Sequence, residues 1–228
     1  MGLIKVMGKA TNFLFGNLLF KNHVFVSDSL EYLRRQRRID KNYFDYIRLA
    51  TLELASYEIQ KKGLVGNVAE LGVYKGKFAK YINQYFPDKK LYLFDTFQGF
   101  DKRDIDEEKS KKFSLAEQDF SNTSLESVLS QMPLPQQCIP VKGFFPESAR
   151  GIEDVFVFVS LDADLFEPIY QGLLFFYPRL AKGGYIFVHD FNNEAYKGAR
   201  EAVEKFCREQ TINYLALPDL GGSAIIMK

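Results

Sequence analysis

The chain contains no tryptophan and only two cysteines and two histidines in 228 residues. Cys138 and Cys207 stand far apart, in neither a C-x-x-C pair nor a zinc-ligand spacing. That argues against a disulfide framework or structural zinc site and leaves a reduced, cytoplasmic protein as the simplest expectation. An excess of one charge is also missing, because 30 Lys and Arg meet 29 Asp and Glu. General nucleic-acid binders carry a basic excess, so no nucleic-acid partner is expected. No membrane span is expected either. The apolar residues 13–20 follow Lys5 and Lys9, but are too few to cross a bilayer. They run into Lys21, Asn22 and His23, with no small-residue cleavage site, so a packing helix or oligomer contact fits better than a signal peptide.

What is present is an α/β alternation. The length suits one domain with a sizeable core. Residues 1–42 form an aromatic and basic arm, expected to make oligomer or lid contacts. Its cluster Arg34, Arg35, Arg37 and Arg38 reads as a solvated face or inter-subunit contact, with a phosphate patch as the sharper alternative. Residues 43–62 carry apolar positions at helical spacing. Strands are expected at 67–71, 91–94, 137–141, 155–161 and 185–188, with helices at 77–85, 124–132, 168–177 and 197–208 between or after them. The charged stretch 101–112 reads as an exposed loop or lid. Residues 214–217 and 224–227, joined by a Gly/Pro connection, suggest an antiparallel hairpin. Residues 43–228 thus form one unit of β/α repeats closed by a hairpin.

Two strand ends carry the chemistry. The apolar run Val155–Leu161 ends in Asp162 and Asp164, whose spacing puts both acids on one side of an extended backbone. The run Tyr185–Val188 ends in His189 and Asp190. Ligands of open α/β sheets bind at the carboxyl ends of strands, so these groups can converge on one point. The bland alternatives are that Asp162 and Asp164 cap the following helix and that His189 is a packing residue.

A second set lies at the first two strands. Glu70 through Gly76 reads E-x-G-x-x-x-G, which fails the dinucleotide fingerprint G-x-G-x-x-G and counts against a nicotinamide-dependent oxidoreductase. Gly72 lets the backbone turn close to a ligand, Tyr74 lies within the turn, and Gly76 opens a helix whose N–H groups face the crevice. Glu70 offers an acceptor for an ammonium group, and Asp95 can accept both hydroxyls of a ribose. Thr96 and Phe97 would lie beside the nucleoside, with Gly143 and Phe144 flanking the base. An amino acid joined to a nucleoside, such as S-adenosylmethionine, fits this set better than a pyrophosphate.

Segments Val68–Gly76, Leu93–Gly99, Val141–Glu147, Leu161–Pro168, Tyr177–Leu180, Gly183–Gly184 and His189–Phe191 resemble, in order, those of the macrocin, mycinamicin and novobiocin-type O-methyltransferases. The likeness covers residues 45–210. It implies a Rossmann-like class I methyltransferase fold: a seven-stranded, mostly parallel, doubly wound sheet with a C-terminal antiparallel hairpin. It also implies a homo-oligomer, methyl transfer from S-adenosylmethionine, and a divalent cation, Mg²⁺ or Mn²⁺. The acceptor would be a small-molecule hydroxyl, in this family a sugar's. By the same resemblance Asp162 and Asp190 match metal ligands and Asp164 the general base. His189 stands where the family's usual pair has its first aspartate. It can ligate the metal through nitrogen, turn away, or act as base or substrate contact. A catechol or phenolic acceptor and a non-catalytic cofactor-binding module are the alternatives.

Overall fold

Short apolar runs bounded by helices assemble into a single sheet. The structure is a computed structural model that describes residues 3–21 and 45–228. The chain divides into two compact units, Met1–Asp40 and Lys41–Lys228. In the first, α1 (Leu3–Lys21) exposes Leu3, Met7, Phe13, Leu14 and Phe15. The arginine cluster at 34–38 lies outside the described residues.

The second unit opens with α2 (Tyr46–Lys61). Its strands are β1 (Asn67–Leu71), β2 (Leu91–Asp95), β3 (Cys138–Lys142), β4 (Phe156–Leu161), β5 (Leu180–Val188), β6 (Leu215–Leu217) and β7 (Ser223–Met227). They form a seven-stranded sheet in the order β3-β2-β1-β4-β5-β7-β6. β7 runs antiparallel to both β5 and β6, and the other pairs are parallel. The helices α3 (Lys77–Tyr85), α4 (Lys102–Ser110), α5 (Leu125–Ser130), α6 (Phe166–Arg179) and α7 (Lys197–Gln210) complete it. The expected sheet, its mostly parallel pairing and the closing hairpin are all present.

β1 and β4 are buried along nearly their whole length and β5 over its last three residues, Ile186 to Val188, which is why these stretches read as continuous apolar runs. Phenylalanine fills the core that tryptophan does not: Phe86, Phe94, Phe156, Phe158, Phe176, Phe187, Phe191 and Phe206 are all fully buried. Chain order reverses between β1 and β4, the place where open sheets leave a crevice. The strand tips are level there. Leu71 pairs with Leu161 and Leu161 with Val188. Asp162 N–H then donates to Leu71 O at 2.8 Å, and His189 N–H to Leu161 O at 2.9 Å.

Two expectations are corrected. Residues 101–112 are not an exposed loop, because α4 buries Asp104 and Glu108. The Lys182–Gly184 stretch, whose paired glycines read from the sequence as a turn closing the helix expected at 168–177, is instead part of β5, where the Gly183 N–H donates to Lys228 O.

Candidate active site

A cleft of about 650 Å³ opens at the level tips of β1, β4 and β5. Its cofactor side is built by the turn after β1. Gly72 has φ +84°, and a Cβ there would lie 2.1 Å from Asp162 O, so any side chain would push the two strand ends apart. Asp95, at the end of β2, holds that turn: its Oδ2 accepts the N–H groups of Val73 at 2.7 Å and Tyr74 at 2.8 Å. Its Oδ1 accepts the Phe97 N–H at 2.6 Å. Glu70 is 1% exposed, and neither of its oxygens has a hydrogen-bond partner of normal geometry among the described residues; the Arg48 charge and the Ser160 hydroxyl offset only part of its burial. Burial, then the charge of Asp162, raises its pKa well above the usual carboxylate range. A buried carboxyl left in this state is an acceptor waiting for a cationic donor.

Of the residues expected at the cofactor, Glu70, Gly72, Tyr74, Asp95, Thr96, Gly143 and Phe144 line the cleft. Gly76 and Phe97 do not line it. Gly76 instead turns the chain into α3 at φ +72°, where a Cβ would press on Met132 and Val128. Phe97 is buried and serves through its backbone.

The reaction side joins four groups. Asp162, Asp164, His189 and Asp190 all line the cleft. His189 Nδ1 lies 3.2 Å from Asp162 Oδ1 and 2.9 Å from Asp190 Oδ2. The other oxygens are held from behind: Asp162 Oδ2 by Arg48 Nη2 at 2.8 Å, Asp190 Oδ1 by Asn193 Nδ2 at 2.8 Å. One donor atom each from Asp162, His189 and Asp190 lies within 4.8 Å of the others. Near atoms converging while far atoms are pinned is the pattern of a ligand shell with its outer support, so this donor set suits a divalent cation. A nitrogen among the oxygens moves the preference from Mg²⁺ toward Mn²⁺.

The charges follow from the same contacts. Burial opposes the ionised form of Asp162, but Arg48 and His189 outweigh it and hold its carboxyl well below the usual range. Burial also opposes the imidazolium, yet Asp162 and Asp190 push His189 up to about 10. Asp164 moves the opposite way from Asp162. Burial, then Asp190 and Asp162, raise it well above an ordinary carboxyl. Asp164 and Asp190 both sit in the left-handed region, at φ +59° and +58°. Such strain is kept where the surroundings fix it, commonly at functional sites. Neither acid caps α6: its first N–H, on Phe166, donates to Glu108 Oε2 at 2.9 Å.

With the cleft described, comparison with known proteins decides the family. The family profile described as Macrocin-O-methyltransferase (TylF) matches residues 22–218. The chain belongs to this family. Among solved structures, the O-methyltransferase NovP aligns with TM-score 0.66 at 19% identity over 79% of each chain. CalS11, a calicheamicin methyltransferase, aligns with TM-score 0.64 at 19% identity, over 79% of this chain and 78% of that one. The SAH-bound Podospora anserina methyltransferase PaMTH1 gives 0.51 at 12% identity, over 78% and 77%. These likenesses establish the fold. No curated protein matches the sequence. As a member of the macrocin-O-methyltransferase family, the chain is an S-adenosylmethionine-dependent O-methyltransferase.

Several residues of this methyltransferase's cleft were missed by the sequence reading. Arg48, on α2, is 6% exposed, pairs with Asp162, and lies 3.9 Å from the Phe78 ring centre. Its signal was an arginine on the same helical face as Leu52, Ala55 and Ile59. Tyr196 donates from its hydroxyl to Gln118 Oε1 at 3.1 Å, and both line the cleft. Of the polar residues that follow the two strand tips in sequence, Asn193 lines the cleft, whereas Glu167, Tyr170 and Asn192 do not. Tyr170 instead donates to Glu209 at 2.6 Å.

α4 enters the cleft through Asp104, which is anchored one turn away. Glu108 accepts from the Phe166 N–H and from Ser114 Oγ, and a Cβ at Gly198 would lie 2.5 Å from it. Asp104 is 9% exposed, and burial, then Asp101 and Glu167, push it up to about 7. An unfolded aspartate titrates near about 3.9. The folded protein therefore binds the extra proton, and Asp104 costs stability as pH rises from about 4 to about 7. Asp104→Asn should remove that loss. Its urea midpoint should match wild type near pH 4 and exceed it near pH 8; a constant gap between variant and wild type would refute the assignment.

Proposed function

We propose that this methyltransferase moves a methyl group from S-adenosylmethionine to a hydroxyl of a sugar or glycosylated small molecule, with a divalent cation beside the acceptor oxygen. The observation that carries the reading is the meeting, in one cleft, of Glu70, a buried carboxyl without a hydrogen-bond partner of normal geometry among the described residues, and the convergent set Asp162, His189 and Asp190. The sugar acceptor is supported by the family description and by the fold shared with CalS11, described elsewhere as a TDP-rhamnose 3'-O-methyltransferase.

Glu70 would hold the ammonium of the amino-acid part, and the Gly72 turn allows its close approach. Asp95 has about one lone pair left, on Oδ1, for a ribose hydroxyl after bonding Val73, Tyr74 and Phe97. Gly143 and Phe144 would flank the base, beside Thr96. When bound, the cofactor supplies the methyl group and the cation supplies positive charge next to the acceptor oxygen. Asp162, His189 and Asp190 would hold that cation. Asp164 would take the proton from the acceptor hydroxyl. Its raised pKa makes its ionised form a stronger base than an ordinary carboxylate. The cleft walls would bring the acceptor oxygen into line with the methyl–sulfur bond.

The arm, residues 1–42, is proposed to join copies of the chain into an oligomer, supported by the exposed apolar side chains of α1. Residues 43–228 would form the catalytic unit. Among the described residues no helix is long and apolar enough to cross a membrane. A cytoplasmic location is supported by the widely separated cysteines, neither of which forms a disulfide.

Asp164→Asn should lower turnover by about 10²–10⁴-fold while S-adenosylhomocysteine affinity stays near wild type. Unchanged turnover would remove Asp164 as the base. The wider test is transfer of labelled methyl from S-adenosylmethionine to sugar nucleotides, glycosides and catechols, with and without Mg²⁺ or Mn²⁺. Product on a sugar hydroxyl, dependent on the ion, is expected. Product on the catechol alone would overturn the acceptor class.

A further inference from the structure

A histidine at position 189 has something the family's usual aspartate lacks: a second ring nitrogen. Nδ1 faces Asp162 and Asp190. A second acidic group, Asp45 and Asp219, also meets the ring, with one atom from each of Asp45, His189 and Asp219 within 4.8 Å of the others. Nδ1 is engaged by the first set, and no described residue hydrogen-bonds Nε2.

Asp219 belongs to the β6–β7 connection, which is tied down over the ring. Gly221 O accepts the Asn192 N–H and Gly222 O the Phe191 N–H, each at 2.9 Å. Gly221 has φ +78°, and a Cβ there would lie 3.4 Å from His189 Cε1 and 2.7 Å from Asp190 Oδ1. Asp45 is already committed: Oδ1 accepts the Arg48 N–H at 3.1 Å and Oδ2 the Leu220 N–H at 3.2 Å. Asp219 Oδ2 accepts the Ser223 hydroxyl at 2.5 Å, but its Oδ1 is buried and no described residue donates to it.

We propose that Asp219 is a positioning residue for His189. Its Oδ1 accepts the Nε2 proton, directly after a small side-chain rotation or through one water, and so leaves Nδ1 as the nitrogen that gives up its proton when a cation binds on the Asp162–Asp190 side. Carboxylate–histidine pairs of this kind orient metal-bound imidazoles. The inference rests on the cation part of the proposed function.

The test is Mn²⁺ affinity by electron paramagnetic resonance on the full chain, saturated with S-adenosylhomocysteine. Asp219→Ala should weaken Mn²⁺ binding by about 10–100-fold, and Asp219→Asn, which keeps an acceptor oxygen, by less. Melting temperature and S-adenosylhomocysteine affinity should hardly change. In the background of His189→Ala, adding Asp219→Ala should cause no further loss, because Asp219 acts through the ring. Imidazole nitrogen NMR of the Mg²⁺-loaded chain should show an Nε2–H ring in wild type and a mixture in Asp219→Ala. Wild-type Mn²⁺ affinity in Asp219→Ala would overturn the proposal, as would a full additional loss on top of His189→Ala. A wild type that binds S-adenosylhomocysteine but no Mn²⁺ overturns it while leaving the methyltransferase intact. A wild type that binds neither defeats the functional reading as well.

Discussion

Replacing Glu70 by methionine should make the cofactor-free protein more stable and nearly unable to bind cofactor. Both effects come from one feature, a carboxyl that is 1% exposed and has no hydrogen-bond partner of normal geometry among the described residues. An unsatisfied buried polar group costs about 1–3 kcal/mol, and an apolar side chain of similar length removes that cost. For a chain of this size each kcal/mol shifts the melting temperature by about 2–4 °C. Losing one partner of a buried charged contact costs about 2–5 kcal/mol, so S-adenosylhomocysteine affinity should fall about 30-fold or more. The sign with pH is fixed by the raised pKa. An unfolded glutamate titrates near about 4.3, and the folded one well above its ordinary value. Wild type therefore loses stability as pH rises from about 4, a loss the methionine variant lacks. Its advantage in melting temperature should widen from about pH 5 to about pH 8. A destabilised variant with normal affinity would mean that Glu70 serves the fold alone.

Asp162→Ala should damage stability and catalysis together, and the two losses should separate in a second variant. Asp162 is the partner of Arg48, which is buried against Phe78. Arg48 is buried and Asp162 is 23% exposed, so removing the carboxylate costs up to about 3–5 kcal/mol, the scale for breaking a buried ion pair. Methyl transfer should fall by about 10²–10³-fold or more, the scale seen when one electrostatic contact to a developing oxyanion is removed. Arg48→Met in the same background should restore much of the melting temperature and none of the turnover. A double variant as unstable as the sum of the singles would show that the pair is not coupled. S-adenosylhomocysteine binding should persist in Asp162→Ala, since Glu70 and Asp95 remain. Its loss would assign Asp162 to the cofactor instead.

The strand tips were legible in the sequence because buried parallel strands read as apolar runs, and a charged residue at the end of such a run marks the exit into solvent or a ligand. Glu70, Asp95, Asp162 and His189–Asp190 all announce themselves this way. The seven-stranded, mostly parallel sheet with its closing hairpin follows from the same β/α alternation together with the family resemblance, whereas the strand order came only with the fold. Long-range compensation leaves no such local trace. Arg48 looks like any helix-surface arginine until Asp162, distant in sequence, is placed beside it. The charged stretch at 101–112 looked solvated, yet Glu108 is 1% exposed because the backbone N–H of Phe166 supplies its partner. The glycines at 183 and 184 signalled a turn, but β5 absorbs them through the contact of Gly183 with the chain's last residue. Asp95 shows the reverse case. The residue was found, while its bonds to the Gly72 turn came only with the fold.

Calorimetric titration of the wild-type chain with S-adenosylhomocysteine is the most direct measurement. A saturable heat with one molecule bound per chain, stronger when Mn²⁺ is present, is the outcome expected of a cleft that sets Glu70 beside the Asp162–His189–Asp190 cluster. A flat titration at millimolar ligand, with the protein folded throughout, would contradict it.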